Sequence, residues 1–101
     1  MAKVLSGGFT ETMPATPEIR KICNEVKSQA EQKTNKKYVE FLALKYRSQV
    51  VAGTNYLIKV HAGGTSYLHL LVWRKLPFEG GNAVLTRVQE HHHKDDPLLP
   101  F

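Results

Sequence analysis

Tyr56-Leu57-Ile58-Lys59-Val60-His61-Ala62-Gly63-Gly64-Thr65-Ser66-Tyr67-Leu68-His69-Leu70-Leu71-Val72-Trp73-Arg74 carries the alternation from which the rest of the chain can be read. Tyr56, Ile58 and Val60 alternate with Leu57, Lys59 and His61; Leu68, Leu70 and Val72 alternate with Tyr67, His69, Leu71 and Trp73. A period of two puts each set on its own face of a pleated strand. Ala62-Gly63-Gly64-Thr65 breaks the pattern with residues suited to a turn, so two strands joined as a hairpin are predicted. The alternation extends outward in both directions. Leu42, Leu44 and Tyr46 alternate with Ala43, Lys45 and Arg47 in a strand predicted over residues 39–51, which ends at the break Ala52-Gly53-Thr54. After a longer, glycine-rich turn over residues 76–82, residues 83–90 make a last strand. No connection is long enough for a crossover, so the four strands are predicted to be antiparallel.

Upstream the period changes. Ile19, Ile22, Cys23, Val26 and Ala30 recur at steps of three and four, which predicts a helix over residues 17–34 with one apolar stripe. Thr16 suits the cap, Pro17 the first helical position, and Glu18 the positive end of the helix dipole. Residues 1–15 have no period and read as an extended, mobile arm; residues 91–101 read as a polar tail with apolar residues at its end. The fold class is therefore α+β, one long helix packed across a twisted antiparallel sheet, in a single domain over residues 1–101.

Composition agrees with that reading and removes several functions. The chain has 101 residues, 42% hydrophobic and 23% charged, which fits one ordinary globular core and not a disordered, collagenous or disulfide-stapled protein. No apolar run is long enough to span a bilayer, and residues 1–6 lack the apolar stretch of a signal peptide. With one cysteine, no intrachain disulfide can form. The expectation is a soluble cytoplasmic monomer with no membrane partner. The net charge of +5 raises nucleic-acid binding, but the basic residues are spread out and no RNP-like aromatic pattern or zinc-finger spacing accompanies them. A basic, solvated surface is the plainer reading, so no nucleic-acid partner is expected; such a surface would also help association with an acidic protein.

Chemistry is sparse. His91-His92-His93, with His61 and His69, is the metal candidate. Consecutive histidines on a strand point to alternating faces, and no Cys or carboxylate at ligand spacing completes a site. His61 and His69 are expected to share the solvent face of one hairpin. No metal and no other cofactor is expected. Cys23 lies on the apolar stripe of the helix and reads as a core residue, not a nucleophile. No paired carboxylates, phosphate-binding glycine loop or hydrolase motif occurs. The chain is not expected to be an enzyme. What remains is a set of apolar residues with no place in the core. Val50 and Val51 are adjacent at a strand end, so one of them cannot face inward. Leu76-Pro77-Phe78 repeats the situation in the third turn, and in a meander the first and third turns lie at the same end of the sheet. Leu5, before Gly7-Gly8, is a third apolar element within reach.

These residues carry a resemblance. Gln49-Val50-Val51-Ala52-Gly53 matches the pattern Gln-x-Val-x-Gly, and the match continues through Thr54-Asn55-Tyr56, Ile58-Lys59-Val60, His69-Leu70 and Leu76-Pro77. Pro14-Ala15-Thr16-Pro17-Glu18-Ile19, Lys94-Asp95-Asp96 and Phe101 extend it to nearly the whole chain. The chain resembles a type 1 cystatin, or stefin, and is most similar to stefin A-like inhibitors of cysteine proteases.

The resemblance implies a reversible, tight-binding inhibitor of papain-like proteases such as cathepsins, acting by occlusion. Leu5, Gly7 and Gly8 in the arm, Gln49, Val50, Val51, Ala52 and Gly53 in the first hairpin, and Leu76 and Pro77 in the second would form a wedge that enters the protease cleft. A glycine in the arm would let backbone approach the catalytic thiol closely, and Gly7 and Gly8 both fit that role. Gln49 would shape the first hairpin. Exchange of the first strand between two copies is a further option within the family. Val88, Phe78, the Glu90-His91-His92-His93 run and Pro97 depart from the stefin pattern. The competing class is a non-catalytic basic module that binds a protein or a nucleic acid.

Overall fold

The computed structural model describes residues 8–101. Among these, five strands form one antiparallel sheet in the order β1-β2-β3-β4-β5: Met13–Pro14, Leu42–Val51, Gly53–His61, Tyr67–Arg74 and Ala83–His92. The helical segment covers the predicted span but is divided at Val26 into α1 (Pro17–Glu25) and α2 (Lys27–Thr34). Val26 has φ −101° and ψ 4°, and its N–H is shared between the carbonyls of Ile22 and Cys23. Thr16 caps α1 as expected, its Oγ1 accepting from Ile19 N at 3.2 Å, a bond worth about 1 kcal/mol.

The helices cover one face of the sheet. Ile19, Ile22, Cys23, Val26 and Ala30 pack on Ala43, Ile58, Val60, Leu68, Leu70, Val72 and Leu85. Burying each of the larger aliphatic side chains contributes roughly 1.5–3 kcal/mol. Gln29 fastens α2 to the edge strand, donating to Ala83 O and accepting from Leu85 N.

Three further features differ from expectation, each for a local reason. Register shifts in β2 and β5 reverse the alternation, so that Ala43 and Tyr46, and likewise Leu85 and Val88, contribute to the same core. In a bulge two residues oppose one, which changes the phase of everything beyond it. The second half of the supposed arm is not free-standing: Met13 pairs with Tyr46 and Pro14 with Lys45. Most consequential, the tail folds back as a strap over the other face of the sheet. Lys59 Nζ donates to Lys94 O at 2.6 Å and to Asp96 O at 2.5 Å, and Leu98 is buried. Beneath this strap Lys59 is 3% exposed and His69 only 1%. The expectation that His61 and His69 share a solvent face is thus wrong for His69. The two do share a face, since Lys59 pairs with His69 and His61 with Tyr67, but that face is covered.

Candidate functional site: a three-segment edge

The register brings the two hairpin turns to one end of the sheet, because Thr54 at the start of β3 lies opposite Arg74 at the end of β4. Residues 8–10 of the arm run to the same end. Thr10 N donates to Ser48 O at 2.8 Å, and Thr10 Oγ1 accepts from Ser48 N at 3.1 Å. From Thr10 back to Gly8, antiparallel to β2, each step is a step toward Val51. Gly8, which is exposed, and Phe9 therefore arrive beside the first hairpin. Leu5 and Gly7 lie outside the described residues.

The first hairpin is tight. Val51 pairs with Gly53 across Ala52, and Val50 with Thr54. Gln49 is half-buried and accepts from Asn55 Nδ2 at 3.0 Å, holding the two strands together just below the tip. Val50 is 83% exposed, and Val51 and Ala52 also face solvent. Gly53 has φ +92°, and a Cβ on it would meet the Arg74 carbonyl oxygen at 2.2 Å. Only glycine fits so close to a neighbouring backbone. Trp73 holds the tip from below, its Nε1 donating to Ala52 O at 2.9 Å.

The second turn is a short 3₁₀ segment, Pro77–Glu79, closed by bonds from Glu79 N and Gly81 N to Leu76 O. Gly80 and Gly81 take positive φ to bring the chain back, and Lys75 N bonds Asn82 O across the base. Leu76 is half-buried, Pro77 is exposed, and Phe78 is 84% exposed. The turn is also tied to the helix through the Arg74–Glu18 ion pair.

Elsewhere the chemistry is occupied or inert. Cys23 is fully buried, and burial pushes its thiol up to about 12, far from a reactive thiolate. Both ring nitrogens of His92 are engaged, Nδ1 with Asp96 and Nε2 with Gln89, and its ring stacks on His69 at 3.6 Å. Among the described residues no group of three or more His, Cys, Asp or Glu is placed to hold a metal.

Of the residues singled out in the sequence, Gly8, Gln49 to Gly53, Leu76 and Pro77 thus lie along one end of the sheet. Sequence reasoning missed Trp73 and Phe9. Trp73 falls on the non-core set of its strand's alternation, the sign of a large apolar residue committed elsewhere. Phe9 follows the glycine pair directly.

The family model of the cystatin domain matches residues 7–95. The chain belongs to the cystatin family. Among its relatives, this cystatin is 54% identical to leukocyte cysteine proteinase inhibitor 1 of Sus scrofa over 98% of this chain and 96% of the relative. It is 52% identical to cystatin-A1 of the same species, again over 98% of this chain and 96% of the relative. Against human cystatin-A it is 49% identical over 97% of this chain and the whole of the relative. Stefin-C of Bos taurus is 47% identical over 94% of both chains. The chain is a type 1 cystatin of the stefin A kind, and such a protein is not an enzyme.

Proposed function

We propose that this cystatin is a reversible, tight-binding inhibitor of papain-like cysteine proteases, the cathepsins among them, and that it acts by blocking the active-site cleft. The observation that carries the reading is the alignment of residues 8–10, the first hairpin and the second turn along one end of the sheet, with exposed apolar residues in both turns. The name of the porcine inhibitor supports it. In this reading Gly7 or Gly8 lets the arm's backbone lie close to the catalytic thiol, and Leu5 fills an apolar pocket on the non-primed side. Val50, Val51 and Ala52 occupy the centre, with Gln49 and Gly53 shaping their hairpin, and Leu76 and Pro77 lie on the primed side. The wedge offers no correctly placed scissile bond, so the protease is shielded and not fed. Both turns are internally bonded before binding, which lowers the ordering cost. The one cysteine is buried and needs no oxidising compartment, and the cytoplasm is the location proposed. Titration of papain at low and moderate salt tests the function. Stoichiometric inhibition that survives moderate salt is expected. No effect on papain, with steeply salt-dependent binding to oligonucleotides, would favour the basic-module reading instead.

A further inference from the structure

Arg47 lies in β2, and its side chain is shared among segments far apart in the sequence. Its Nε donates to Thr10 O at 2.7 Å, and its Nη1 donates to Leu98 O at 2.8 Å. The guanidinium carbon lies 5.8 Å from the centroid of the Phe9 ring, within range of a cation–π contact. One side chain therefore joins the arm, the strand that leads to the first hairpin, and the C-terminal strap. Arginine suits this because its donors diverge in a fixed plane, whereas lysine offers one nitrogen on a flexible stem.

We propose that Arg47 is a positioning residue for the inhibitory arm, fixing Phe9 and Thr10 beside β2 and making their placement depend on the strap. The proposal rests on the reading of the arm as a protease-binding segment. Phe9 and Thr10 directly follow that segment, so their orientation sets where it begins. Holding Phe9 and Thr10 in the free protein removes part of the ordering cost of binding. The anchor at the other end is firm, because Leu98 is buried against the sheet and its carbonyl is held with it. Leu98 thereby acts on Phe9 and Thr10.

The test is a double-mutant cycle on papain binding kinetics, using the full chain, Arg47→Ala, a form lacking residues 1–8, and the combination. Arg47→Ala is expected to speed dissociation about tenfold in the full chain and less than twofold in the truncated form. Arg47→Lys should recover only part of the loss, and removal of residues 98–101 should reproduce most of it. Equal acceleration with and without the arm would overturn the proposal, since it would mean a direct contact or a general loss of stability. A second readout needs no protease. Backbone ¹⁵N relaxation should report increased motion at Phe9 and Thr10 in Arg47→Ala, with β3 and β4 unchanged. Unaltered relaxation at Thr10 would overturn the positioning role even if papain is inhibited. Failure of the wild-type chain to inhibit papain would instead remove the proposed function, and the relaxation data would still decide whether Arg47 orders the arm.

Discussion

Replacing Gly53 by alanine adds one carbon where the edge is least able to take it. The backbone there has φ +92°, and the new Cβ would stand 2.2 Å from Arg74 O and 3.0 Å from Trp73 Nε1. Holding a non-glycine residue in such a conformation costs about 1–3 kcal/mol. The overlap with a backbone oxygen cannot be relieved by a rotamer change, so either the tip or the end of β4 must move. Moving the tip breaks the bond from the Trp73 indole to Ala52 O, worth roughly 1 kcal/mol. Together these amount to about 2–4 kcal/mol. If 2 kcal/mol of that is relieved by displacing the tip, affinity for papain falls about thirtyfold. The assay is an inhibition titration run beside the emission spectrum of Trp73, the only tryptophan in the chain, and far-ultraviolet circular dichroism. Weaker inhibition, altered indole emission and unchanged helix content are expected, with Gly53→Val acting in the same direction and more strongly. Unchanged inhibition together with unchanged emission would refute the reasoning.

Deleting residues 1–7 should weaken papain binding at least tenfold through faster dissociation, because burying Leu5 would contribute roughly 1.5–3 kcal/mol before ordering costs; an unchanged dissociation rate in stopped-flow would make the arm a passive leader. Phe78→Ser removes an exposed apolar side chain and should raise the inhibition constant roughly three- to tenfold while leaving the melting temperature unchanged. Burial, and then the nearby charges of His92 and Lys59, push His69 down from the ordinary 6.5 to about 4, partly offset by Asp96. The unfolded chain then binds more protons between these values, so stability is full above about 6.5 and falls as pH drops toward 4, by roughly 2–4 kcal/mol. His69→Leu should flatten the melting temperature across that range. Cys23, buried and pushed up to about 12, should resist a thiol reagent at pH 8 until the protein is unfolded; rapid modification of native protein would contradict the packing.

The meander was legible because its strands keep a period of two between glycine-marked turns, and the helix because its stripe keeps steps of three and four. What periodicity could not show is where the period slips. At Ala43–Lys45 and at Leu71–Val72 the register shifts, and nothing in the residue types announces it. Leu98 reads as a stray apolar residue until the sheet beneath it is known, and His69 reads as exposed for the same reason. Within the candidate site, the motif from Gln49 to Gly53 marked the first hairpin and Leu76-Pro77 the second. The supports behind them were hidden: Trp73 under the tip and Arg47 behind the arm act through contacts between distant parts of the chain, which no local pattern encodes.

The strap has a consequence for how the chain comes off the ribosome. Every neighbouring pair in the sheet is also consecutive along the chain, so helix and sheet can assemble in order as synthesis proceeds. Residues 94–98, which cover the outer face, follow the whole sheet in the chain. Until they emerge, Leu57 and Lys59 stand open to water, and the lysine has neither of the carbonyls, of Lys94 and Asp96, that later surround it. The nascent protein therefore passes through a stage with one face of its sheet sealed and the other bare. Residues 94–98 seal the second face.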